Sequence, residues 1–177
     1  MKTILLFLLV SISAFSQKKM VLIEGFQDSN YPEIANVIME EFYSDAANEN
    51  FYPRTYIEQN LKGIYFVHAK TIEKYVGQKN DNRAASITYV SNDLTGKTDV
   101  LILVDNSKID NLQNVKAFVY HELGHFLGLG HELIIFPAIM NTQINGSFIT
   151  EETLFYYFQK LRNVPPNLYR KQLWKNY

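Results

Sequence analysis

Residues 121–131 read HELGHFLGLGH, and this stretch holds three of the chain's four histidines. In an α-helix, residues four apart lie one turn up the same face, about 6 Å along the axis, so His121 and His125 point the same way. Two neutral imidazoles held like this can each give a ring nitrogen to one Zn²⁺ at about 2.0 to 2.1 Å. Gly128 follows three residues after His125, where a residue with no Cβ can adopt positive φ, end the helix and turn the chain back. That turn brings His131 round as a third ligand. The stretch therefore asks for a helix carrying two ligands, a glycine stop, and a return segment carrying the third.

Three protein ligands leave the fourth tetrahedral position to water, which marks a catalytic rather than a structural zinc. Zinc lowers the pKa of such a water from about 15.7 towards 7. Glu122, next to the first ligand on the helix, is close enough to take that proton without becoming a ligand, which is the place of a general base. Attack on a carbonyl is the chemistry expected of these parts, and peptide-bond hydrolysis uses all of them. H-E-x-x-H alone recurs in unrelated helices. At this chain's composition, however, the five fixed residues of H-E-x-x-H-x-x-G-x-x-H arise by chance with a probability of about 10⁻⁵ or below. An amphipathic helix with incidental histidines would need that coincidence.

Met140 lies nine residues beyond His131, in the segment Pro137-Ala138-Ile139-Met140-Asn141. Together the two segments resemble the signature of the metzincin clan of zinc metallopeptidases, an extended histidine motif followed by a methionine-containing tight turn. The resemblance implies that Met140 forms an apolar floor beneath the imidazoles without binding the metal. A gap-filling core methionine would have almost the same physical role. The resemblance also implies an α+β, zincin-type catalytic domain, with a twisted mixed sheet of four or five strands packed on the zinc helix and a C-terminal helix. An edge strand of that sheet would pair with extended substrate by β-augmentation. Residues 85–90 are the candidate, and the loop over 141–148 would wall the pocket beside the scissile bond.

Traits of the families within the clan diverge here. Matrixins have similar wording and a short gap to the methionine, but carry Ser or Thr where this chain has Glu132. Astacins have Glu there, yet place a zinc-approaching tyrosine two residues after the methionine, where this chain has Thr142. Archaemetzincins share the HELGH and GLGH wording and bring cysteines for a second zinc; this chain has no cysteine. The resemblance is to the clan, and it is silent on substrate. Glu132 either makes a buried charge contact, as its astacin counterpart does, or stands in solvent near a helix end.

The chain opens with Met1-Lys2 and an apolar run over residues 4–10 that continues with small residues to Phe15, the pattern of a signal peptide. Ala14 and Ser16 offer small residues for cleavage before Gln17. The run is short for a bilayer span, an uncleaved anchor being the alternative. These features predict a signal peptide over 1–16 and a single catalytic domain over 17–177. They also predict a secreted or periplasmic location with no stable membrane insertion after cleavage. Cleavage leaves 161 residues, enough for one domain with a real core. Loss of Lys2 leaves 16 basic against 18 acidic groups, a net charge near −2, which makes no electrostatic case for nucleic acid or an anionic membrane. Without cysteine there is no disulfide and no cysteine-based latency, so stability rests on the apolar core and the metal. The expected partner is a peptide or protein substrate, and the expected state is a monomer.

Periodicity gives the order of elements. Residues 19–26 (KMVLIEGF), 64–68 (IYFVH), 85–90 (ASITYV) and 100–104 (VLILV) read as strands, the last a continuous apolar run of the kind buried on both faces. Residues 32–43 read as a helix with Pro32 at its start. The zinc helix is expected from Leu112 or Asn114 to Leu127, with Val119, Leu123 and Leu127 on the face away from the histidines and against the sheet. A further helix is expected over 150–161, with Thr150 as N-cap, Glu151 and Glu152 at the positive end of the dipole, and Pro165-Pro166 as the stop.

Other residues invite functional readings. His68 reads as a structural or surface histidine at a strand end, with a second metal site as the alternative. Asp99, Asp105 and Asp110 could hold Ca²⁺, but they lack a ligand spacing such as the EF-hand loop, so solvated loop carboxylates are expected. The basic tail with Arg162, Arg170, Lys171 and Lys175 is expected to pack Leu168, Leu173 and Trp174 on the domain and leave its charges wet. Tyr156 and Tyr157 follow the methionine turn; either could stabilise an oxyanion, and core packing is expected of both. Two functions stand against each other. One is a zinc endopeptidase with Glu122 as base; the other is a non-catalytic, zinc-stabilised peptide- or protein-binding protein, which would have no physical need of Glu122.

Overall fold

Ala35, Ile38, Phe42 and Ala46 recur at three- and four-residue intervals, and all are buried along one side of helix α1 (Pro32–Asn48). The computed structural model describes residues 32–76, 84–92, 97–132 and 138–165. α1 runs five residues past the expected Tyr43, because Ala46 extends the apolar stripe by one more turn. It closes where Asn50 takes a left-handed φ of 57°, with Phe51 N–H bonded to Ala46 O at 2.8 Å and Asn50 N–H to Ala47 O at 3.0 Å. The remaining elements are α2 (Arg54–Asn60), β1 (Leu61–Val67), α3 (Ala69–Val76), β2 (Ala85–Asn92), β3 (Lys97–Asp105), α4 (Leu112–Phe126) and α5 (Glu151–Asn163). Short 3₁₀ turns lie at Asn106–Lys108 and Gly146–Phe148.

The fold is α+β, and among the described residues its sheet has three strands in the order β1-β3-β2, with β1 parallel and β2 antiparallel to β3. Three strands stand where four or five were expected. The expected strand over 19–26 lies outside the described residues, as do the signal-peptide segment and the basic tail beyond Pro165. β3 is central. Ile64, Ile102 and Ile87 align across it and face the main core with Phe66, Val100 and Val104. Leu101 and Leu103 face the opposite way and join Tyr65, Val67 and Ile72 under α3. Burial on both faces is why 100–104 is apolar without alternation.

α4 starts at Leu112, where the Asn111 side chain accepts from Asn114 N–H at 2.8 Å, and its last helical residue is Phe126. Val119, Leu123 and Leu127 are fully buried, as their spacing requires. α1, α4 and α5 meet in an aromatic cluster, with Phe42 edge-on to Tyr120 at 5.0 Å and Phe158 at 5.4 Å from Phe42. Lys116 adds ion pairs to Glu41 and Asp45 of α1, both at 3.1 Å, and the Tyr120 hydroxyl donates to Asp45 at 2.8 Å. α5 begins in a reciprocal cap. Thr153 N–H donates to Thr150 Oγ1 at 3.2 Å, and Thr150 N–H donates to Thr153 Oγ1 at 3.0 Å.

Candidate metal centre

The end of α4 is built by the glycine that the sequence singles out. Gly128 has a φ of 96°, its N–H donates to His125 O at 3.0 Å, and Leu129 N–H reaches back to Gly124 O at 2.8 Å. This is the paired closure of a Schellman motif. The reversed chain then brings His131 against the helix. Its position is fixed by the next residue, since Glu132 N–H donates to Met140 O at 2.9 Å and Glu132 forms an isolated parallel bridge with Asn141.

His121, His125 and His131 thus converge through one kind of atom. Their Nε2 atoms stand 3.0, 3.0 and 3.3 Å apart. Nitrogens sharing one tetrahedral ion at about 2.0 to 2.1 Å would stand about 3.3 Å apart, so the spacing fits a single ion. The tautomers agree. His121 Nδ1 lies 2.7 Å from Ile139 O and His125 Nδ1 lies 2.9 Å from Leu129 O. A carbonyl oxygen has no proton to give, so Nδ1 carries the hydrogen and Nε2 presents a lone pair. Lone pairs facing one another at such distances repel unless a cation lies among them. Burial, together with the nearby His125 ring, pushes the His121 pKa down to about 3, and burial lowers that of His125. Both rings are therefore kept neutral, the form that ligates. The three side chains together could hold a metal ion.

Around this trio the other expected residues take definite places. Glu122 is buried on α4, and its Oε2 accepts from the Ile87 N–H of β2 at 2.9 Å. Met140 is buried in a turn closed by Asn141 N–H to Ala138 O at 3.1 Å; Pro137 lies outside the described residues. The Met140 sulfur packs so closely on Gly124, which lies between His121 and His125 on α4, that a Cβ at Gly124 would overlap it. Glu132 is paired with Lys160 of α5 at 2.6 Å, its side chain 20% exposed, so it makes a charge contact instead of standing free in solvent. Thr142 is exposed.

Several expectations need correction. Tyr157 is core, its hydroxyl donating to Tyr120 O at 2.6 Å, but Tyr156 is 47% exposed. The buried stripe of α5 runs through Thr153, Tyr157, Phe158 and Leu161 and leaves Tyr156 outside it. Asp105 is no solvated carboxylate. It is buried at the end of β3 and accepts from Ser107 N–H at 3.0 Å and Ser107 Oγ at 2.8 Å. Asp99 lies within β3, while Asp110 is exposed and accepts from Asn114 Nδ2 at 2.5 Å. His68 is exposed beyond the end of β1, and its carbonyl accepts from Thr71 N–H at 2.8 Å at the start of α3.

The supports of the site are not visible in the sequence. Asn114 Oδ1 accepts from Gly146 N–H at 2.5 Å and fastens the loop after the methionine turn to the start of α4. The carbonyls of Ile139 and Leu129 and the N–H of Ile87 are backbone groups, which no side-chain pattern announces. Gly124 did leave a signal: a glycine inside a helix costs about 1 kcal/mol against alanine, and a close approach is the usual reason for one. No family model, curated protein or solved structure matches this chain.

Proposed function

We propose that this protein is a zinc-dependent endopeptidase of metzincin type, exported through its N-terminal segment and acting as a monomer on peptide or protein substrates. The observation that carries the reading is the convergence of three Nε2 atoms beside a buried, hydrogen-bonded Glu122. Three imidazoles suit zinc, though other late first-row ions share that preference. When bound, zinc supplies an acidified water and an electrophile for the scissile carbonyl.

The chain's own groups do the rest. Ile139 O and Leu129 O orient two of the ligands, and Met140 closes the space beneath them. Glu122 takes a proton from the attacking water and hands it to the leaving nitrogen. Ile87 N–H holds that carboxylate in place through Oε2. β2, an edge strand among the described residues, offers its backbone to an extended peptide.

Metal analysis joined to cleavage-site profiling on blocked peptides tests the proposal. Wild-type protein should hold one zinc per chain and cut internal bonds. Glu122→Gln should keep the zinc and lose about 10²- to 10⁴-fold in kcat. Zinc-loaded protein that cleaves no peptide, or a Gln variant as active as wild type, would overturn it.

A further inference from the structure

His131 differs from the other two ligands in how it is held. His121 and His125 sit on α4, whose helical bonds fix them, whereas His131 is exposed and follows the Gly128-Leu129-Gly130 reversal. Among the described residues, no atom lies within 4 Å of where a Cβ at Gly130 would stand. Leu129 ties the segment before His131 to α4, and the residue after His131 adds further ties. Glu132 supplies two holds: its N–H bonds Met140 O, and its Oε1 pairs with Lys160 Nζ at 2.6 Å. Lys160 belongs to α5, which is itself capped by Thr150 and anchored by the buried Tyr157 and Phe158. Its ammonium also lies 4.4 Å from the centre of the Tyr156 ring, an attractive contact.

We propose that Lys160 is a positioning residue for the metal centre, tying the segment of the third ligand to α5 through Glu132 and so holding His131 in its ligating position. The inference rests on the reading that the histidine trio binds zinc. It carries an unusual sign. By charge alone, a lysine near the centre repels the cation, so removing it would tighten zinc binding. As a positioning device it does the reverse: without it, the segment keeps its backbone ties but is held less firmly, and binding the metal costs more backbone and side-chain freedom.

The test is the zinc dissociation constant, measured by competition with a chromogenic chelator, for wild type, Lys160→Met and Lys160→Arg. Met keeps most of the apolar stem and removes the charge; Arg keeps the ion pair. Lys160→Met should bind zinc about three- to five-fold more weakly, the scale of a good partly exposed ion pair. Lys160→Arg should stay close to wild type. Melting temperatures of the metal-free proteins separate positioning from general weakening, and a matched metal-free stability with weaker zinc binding supports the proposal. Lys160→Met binding zinc as tightly as wild type, or more tightly, overturns it. Wild-type protein that takes up no zinc removes the metal reading itself, a different outcome from an unaffected variant of a zinc-binding protein.

Discussion

Gly124 has no room for a larger side chain unless its neighbours shift. A Cβ there would overlap the Met140 sulfur and lie 3.0 Å from a Tyr157 ring carbon. Met140 ends in a flexible thioether, but it is buried, so its retreat must displace other core atoms, and Tyr157 is held by its bond to Tyr120 O at 2.6 Å. Alanine gains about 1 kcal/mol in helix propensity over glycine, and overpacking a tight core costs about 1 to 3 kcal/mol. The clash should win, so Gly124→Ala should unfold at lower urea than wild type, and a gain in stability would mean that Met140 does not pack as described. The three histidines of the candidate site are legible in the sequence because their chemistry is in their side chains and the first two are spaced by a helix turn. The residues that orient them are not. Ile139, Leu129 and Ile87 act through backbone atoms, and tertiary structure alone decides which carbonyl or N–H arrives beside an imidazole or a carboxylate.

At the scale of elements, α5 joins the two halves of the site, since Tyr157 backs α4 and Lys160 reaches Glu132. Its start depends on Thr150, whose hydroxyl accepts from Thr153 N–H. Thr150→Ala should cost about 1 kcal/mol by removing that cap, while Thr150→Ser should restore most of it; equal denaturation midpoints for all three proteins would show that the cap contributes nothing. α4 and α5 were readable to within two residues at most ends because caps and apolar stripes mark them. α2 and α3 were not, being only 7 and 8 residues long, too short for periodicity to stand out. The strands show in the sequence by their apolar cores, but their ends do not. β3 extends from 100–104 to Lys97–Asp105 because pairing with β2 continues to Lys97, and ladder bonds do not require an apolar side chain.

For the whole molecule, the sheet separates two apolar cores, and the histidine trio lies beside the larger one at the end of α4. The α+β class was legible from the alternation of patterns, whereas the way β1 and β2 flank β3 comes from pairings distant in sequence. This layout predicts that metal removal would be a local event. Leu123, Phe126, Leu127, Ile139 and Met140 are packed in the apolar core, so α4 and the turn should persist in the metal-free protein. Among the ties of the segment around His131 are Leu129 N–H to Gly124 O and Glu132 N–H to Met140 O, the contact of Leu129 O with His125 Nδ1 and the Lys160 pair, and His131 itself is exposed. A metal that binds the folded state alone stabilises it by about 4 kcal/mol at a thousandfold excess over Kd, worth about 10 °C in Tm for a chain of this size. Chelation should thus lower Tm by that order, and added zinc should restore it. Hydrogen exchange below Tm should then quicken at residues 129–132 while β3, buried from Val100 to Val104, keeps its protection. Exchange that rises equally in β3 would instead mean that the metal holds the whole domain together, and that the two cores cannot stand without it.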